Sequence, residues 1–161
     1  MTRRFLTLLF GVSAAIALAL PSYAANDALN AYAPRGFLET QILTAQGAAT
    51  VSGSAVYIPA TAISCVYTQA SHTGSPSVTL NIQGQDPSSN LPGKTPVWIT
   101  LLSSSAIVSD TSYVMSVGTG VATASNAGLG QALPYAWRTQ VVVAGSGTPV
   151  VTATVGCSTT N

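Results

Sequence analysis

The chain has 161 residues, of which five are Lys or Arg, four Asp or Glu and one His, so 6% are charged where an ordinary domain carries about 25%. Nucleic-acid binding by phosphate neutralisation needs clustered Lys and Arg, and a basic membrane-binding face needs the same; this composition excludes both. So little charge also means little self-repulsion, which permits close association with like copies.

The chain opens with Arg3 and Arg4, followed by a nearly continuous apolar run from Phe5 to Leu20 that Pro21 ends. Ser22 and Ala24 then flank Tyr23 in the pattern of a cleavage site. This layout predicts a secretory signal peptide over 1–24. The alternative is a membrane anchor, but a span needs roughly 20 apolar residues and this run has 16, with Gly11 and Ser13 inside it. The expected product is exported, to the periplasm, the cell surface or beyond, with no stable membrane insertion after cleavage. It carries charges only at Asp27, Arg35, Glu39, Asp86, Lys94, Asp110 and Arg138.

Residues 25–36 form a small-residue lead-in, expected as a flexible N-terminal arm. After Gly36, short runs rich in Val, Ile, Thr and Tyr alternate with Gly, Pro, Ser and Asn. They predict strands at 37–44, 49–58, 61–69, 76–84, 96–103, 111–117, 137–144 and 149–157. That spacing reads as all-β: one antiparallel β-sandwich domain over 37–161, jelly-roll or Ig-like, with about eight short strands. Period-two alternation assigns an inward face to Ile63, Cys65 and Tyr67, to Val78, Leu80 and Ile82, to Trp137, Thr139, Val141 and Val143, and to Val151, Ala153, Val155 and Cys157.

Two long loops interrupt the strands, at 85–94 and 118–134. Each is either a binding surface carried on a rigid scaffold or a passive connection. Trp98 has the opposite parity to Val97, Ile99 and Leu101, which points it outward and makes it the leading contact candidate. Asp86, Asn90 and Asn126 complete the candidate contact surface, and Tyr57, Tyr113 and Tyr135 could join it. Arg138, pointing away from Trp137, is expected to pair with a carboxylate at the sheet surface.

Cys65 and Cys157 lie 92 positions apart. In an exported chain one disulfide is the natural reading, here an inter-sheet bridge worth about 4 kcal/mol in the chain-entropy model. Two buried free thiols are the alternative. No CxxC or His-x-His spacing suggests a metal, and Asp86, Ser88 and Asn90 lack the dense acidic spacing of calcium loops. His72 follows Ser71, but no G-x-S-x-G elbow exists, and the few carboxylates do not form a recognisable glycosidase pair. No cofactor motif is present, so a non-enzymatic protein is expected.

From Ser75 to Cys157 the sequence resembles small structural proteins of tailed bacteriophages, of the virion or capsid-decoration type. The resemblance rests on Ser77-Val78-Thr79-Leu80-Asn81-Ile82-Gln83 leading into Gln85-Asp86-Pro87, and on Trp98-Ile99-Thr100-Leu101-Leu102. Tyr113-Val114-Met115-Ser116-Val117-Gly118, Leu133-Pro134 before Trp137-Arg138, and Thr148-Pro149-Val150 through Gly156 complete it. The leader and the cysteine pair depart from that pattern. The resemblance implies a subunit of a particle, coat or appendage, partnered by copies of itself or another structural protein. A secreted module that binds glycan or protein is the other reading.

Overall fold

The computed structural model describes residues 38–57 and 59–160, with side chains from Gln41 onward. The expected signal peptide (1–24) and arm (25–36) lie outside the described residues. Seven strands are described: β1 (Leu38–Gly47), β2 (Ala49–Ser52), β3 (Ala62–Gln85), β4 (Trp98–Ser103), β5 (Ser112–Gly118), β6 (Gly128–Leu129) and β7 (Trp137–Thr160). A single 3-10 turn, Pro87–Ser89, follows β3.

Two of the strands are 24 residues long, where the sequence predicts pairs of short ones. β3 joins the expected strands 61–69 and 76–84, and β7 joins 137–144 and 149–157. They pair antiparallel along their whole length, from Ala62 opposite Thr160 to Gly84 opposite Trp137. The segment Ala70-Ser-His-Thr-Gly reads as a turn because it ends in Gly, but the chain passes through it as a bend in a continuous ribbon. Register shifts at Gln69/Ser71 and Thr73/Ser75 mark that bend, as bulges do where strands curve. Glycine is required there. Gly74 has φ +71, and a Cβ on it would lie 2.6 Å from Gly147 O; Gly145, at φ +129, would meet Ser75 O.

Each half of the ribbon gains its own flanking strands. β1 and β5 border the first half (62–73 with 150–160), and β6 extends it parallel to β5; β2 and β4 border the second (75–84 with 137–146). The molecule is therefore one sheet folded into an all-β sandwich, unlike the immunoglobulin arrangement of two separate sheets.

The inward positions read from alternation are the core. Ile63, Cys65, Tyr67, Met115, Val151 and Val155 from one half share a buried cluster with Val78, Leu80, Ile82, Trp137 and Val141 from the other. Buried apolar area of this kind supplies the main favourable term in folding. A polar contact also joins the halves: Thr139 Oγ1 donates to Gln41 Oε1 at 3.1 Å in the interior, and Gln41 Nε2 donates to Val51 O at 2.8 Å.

Cys65 and Cys157 form a disulfide. It is not the inter-sheet bridge expected from the sequence. The two residues are directly opposed on neighbouring strands β3 and β7, with Cα atoms 4.0 Å apart. Sharing an inward face placed both on one side of the same sheet, so the bridge runs along the floor of the core.

Candidate functional site

The face of the second half that points away from the core carries most of the candidate residues, although its central amides Asn81, Gln83 and Gln85 are themselves buried. On β3, Asn81, Gln83 and Gln85 alternate with the inward Leu80, Ile82 and Gly84. Register sets Asn81 against Ser103 and Gln140, Gln83 against Thr100 and Arg138, and Gln85 against Trp98. Directly opposed residues share a face, so this face is a row of amides flanked by hydroxyls, one cation and one indole.

The row is closely hydrogen-bonded. Ser103 Oγ donates to Asn81 Oδ1 at 2.6 Å, and Asn81 Nδ2 and Gln83 Nε2 both donate to Gln140 Oε1, at 3.1 and 3.2 Å. Arg138 Nε donates to Gln83 Oε1 at 2.8 Å, and its Cζ stands 4.4 Å from the Trp98 ring centroid. The guanidinium is thus fixed by one N–H and stacked over a ring, a cation–π arrangement. Burial pulls its pKa below the ordinary arginine value, yet arginine stays charged at neutral pH. The carboxylate partner expected for Arg138 is absent among the described residues. The imidazole–carboxylate contact among them is between His72 Nδ1 and Asp110 Oδ1; the strand geometry offers Arg138 a glutamine and an indole instead.

Trp98 is half-buried beneath that guanidinium, while Val97 and Ile99, expected to face inward, are each 52% exposed. Asp86 N donates to Val97 O at 2.9 Å, and Asp86 Oδ1 accepts from Ser88 N at 2.8 Å, capping the 3-10 turn. Asn90 closes the turn through its N–H to Pro87 O, and its Oδ1 accepts from Gln85 Nε2 at 3.5 Å. Buried Ser89 ties this loop to β4: its Oγ donates to Asp86 O and accepts from Val97 N. Asn126 is elsewhere. Its Nδ2 donates to Ser103 O at the opposite end of β4, about 17 Å along the strand at roughly 3.4 Å per residue. It adopts φ +61 in its loop.

A pocket of about 150 Å³ opens at this end of the face, lined by Gln85, Pro87, Asn90, Tyr135 and Ala136. Tyr135 is 62% exposed and its ring centroid lies 6.3 Å from that of Tyr57, which is also exposed. Gln85 is only 5% exposed, and its Oε1 has no hydrogen-bond partner among the described residues. Sequence reasoning passed over Gln83 and Gln85. The signal was present, as three amides at every second position of an otherwise apolar strand.

A second polar cluster sits at the bend. His72 Nδ1 and Asp110 Oδ1 are 2.6 Å apart, Gln69 Nε2 donates to Asp110 Oδ1 at 3.1 Å, and buried Tyr67 donates its OH to Gln69 Oε1 at 2.8 Å. The hydrogen bonds from His72 and then Gln69 hold the Asp110 carboxyl below its ordinary 3.8. Burial, with Asp110 nearby, pushes the Tyr67 phenol up to about 12. Ser71 is exposed, and no hydrogen bond joins it to His72 among the described residues, so the nucleophile–base contact of a Ser-His-Asp site is not formed.

No protein-family model matches the chain, and no curated protein does, so neither comparison supports the tailed-phage family. Among solved structures, the chain is similar to one in the structure of infectious bursal disease virus, Gx strain, at 10% identity and a TM-score of 0.37. The match covers 76% of this chain and 30% of that one; at that level it carries no inference about function.

Proposed function

We propose that this protein is an exported, non-enzymatic structural subunit that assembles with copies of itself. The observation that carries the reading is the outward face of the first half. Val66 lies opposite Val114 there, 39% and 52% exposed, and Ile42 at the β1 edge is 67% exposed. Their neighbours in register are Ser64, Thr68, Ser112, Ser116, Thr154, Gly156 and Ser158. None of the described side chains at the centre of this face is charged; the one charged residue that register sets against it is Glu39, opposite Gly156 at the β1 edge. Sparse charge and exposed apolar side chains at the centre of a patch are what interface cores share, and two such faces can meet about a two-fold axis with their apolar centres opposed.

The test is the solution mass of the oxidised protein lacking residues 1–24, by light scattering behind a sizing column. A discrete multi-subunit mass that Val114→Lys converts to monomer is the expected result. A wild-type monomer at all concentrations overturns self-assembly. Export is tested separately by sequencing the N-terminus of secreted protein, expected at Ala25.

A further inference from the structure

On the opposite side of the sandwich from that face, we propose that Arg138 and the pocket beside Tyr135 form one binding site for an acidic saccharide. Three observations meet there. Arg138 is a cation that the fold immobilises without neutralising, since its Nε is spent on Gln83 Oε1, its plane lies over Trp98, and no carboxylate pairs with it among the described residues. A guanidinium held in this way presents its Nη donors in the fork that suits a carboxylate.

The second observation is position. Ala136 lies two residues before Arg138 and Gln85 two residues after Gln83, so pocket and cation occupy neighbouring rows of the same face. That spacing is about 7 Å at roughly 3.4 Å per residue, the scale of one pyranose ring and its substituent. The third is the lining. Gln85 lines the pocket at 5% exposure, and its Oε1, covered in the unliganded protein, has no donor among the described residues, so a shift of this side chain towards a ligand hydroxyl would relieve a costly unpaired group. Asn90 adds an exposed amide, and the exposed rings of Tyr135 and Tyr57 offer apolar faces for a sugar ring. The pocket lining is neutral, and the neighbouring Asp86 carboxylate is engaged by Ser88 N, so one fixed cation beside the pocket suits a ligand that is mostly hydroxyl and carries one carboxylate.

The probes are a glucuronate oligosaccharide, the matching glucose oligosaccharide and acetate, titrated against the oxidised protein by calorimetry and by tryptophan fluorescence. Trp98 under Arg138 serves as the local reporter. The expected result is binding of the glucuronate oligosaccharide alone, with Arg138→Gln weakening it roughly tenfold or more, the size of one charged hydrogen bond. Tyr135→Ala, a change at an exposed residue that leaves the fold intact, should also weaken it. Acetate binding as well as the oligosaccharide, with no effect of Tyr135→Ala, would show a bare anion site and overturn the saccharide assignment. Equal binding of the glucose oligosaccharide would overturn the role of Arg138. No binding of any probe would overturn the site altogether.

Discussion

Thr139 Oγ1 donates to Gln41 Oε1 across the interior of the sandwich, joining a residue of β7 in one half to a residue of β1 in the other. Both are buried, Thr139 completely. A buried acceptor that loses its donor keeps the full cost of desolvation. Thr139→Val keeps the shape and removes the donor, so it should destabilise by about 1–3 kcal/mol. Thr139→Ser, which retains the hydroxyl, should cost less. Urea midpoints with an unchanged slope are the measurement, and equal midpoints for the Val and Ser variants would show that the bond contributes nothing.

The disulfide joins strands that the ladder already pairs, but it closes a loop of 92 residues in the unfolded chain. Most of its effect therefore lies in the unfolded state. Cys65→Ala with Cys157→Ala should lower stability by about 2–5 kcal/mol while the strand signature in far-ultraviolet circular dichroism persists. Loss of that signature at neutral pH in the cold would mean that the ladder alone cannot hold β3 to β7.

The cluster at the bend makes stability depend on pH at both extremes. Asp110 has a folded pKa below its unfolded value, so the unfolded state binds more protons in acid. Its contribution is present above the unfolded value of about 4 and is lost as pH falls through the folded one. Asp110→Asn should flatten this acid limb. Tyr67 runs the other way. Its pKa is raised to about 12, so its contribution is complete below about 10 and disappears as pH rises towards 12. Alkaline titration of tyrosinate absorbance should show one phenol ionising late, and Tyr67→Phe should remove that step; a single transition near 10 for all phenols would contradict the burial of Tyr67.

Alternation made the inward faces legible, because a strand has period two and the core excludes polar side chains. Val78, Leu80, Ile82, Val141 and Val155 are all fully buried. Strand ends were less legible. Gly74 and Gly145 carry the signal of a turn, and only pairing across the whole length of β3 and β7 reveals that they bend a ribbon without ending it. The site was legible in part. Parity predicts Trp98 outward and Val97 and Ile99 inward, whereas Val97 and Ile99 are each 52% exposed and Trp98 is partly covered by Arg138; of the loop residues, Asp86 pairs with Val97 and Asn90 with Gln85. Asn126, in the small-residue loop 118–134, lies at the far end of β4. The partner of Arg138 was not legible, because whether a cation meets a carboxylate or a glutamine is decided by cross-strand register, which one strand's sequence does not encode.

The bend offers a test that separates backbone strain from crowding. Gly74 and Gly93 have similar positive φ, +71 and +77, but a Cβ at Gly74 would lie 2.6 Å from Gly147 O, whereas nothing lies within 4 Å at Gly93. Gly93→Ala should therefore cost only the left-handed penalty, about 1–2 kcal/mol. Gly74→Ala adds a backbone collision at the point where β3 and β7 turn together, and relief would require the two strands to move apart. It should destabilise by clearly more than Gly93→Ala, measured as the difference between their urea midpoints. Equal losses would mean that the ribbon yields freely at Gly74, and that the fold between the two halves is set by the core that meets inside it and not by the glycines at the bend.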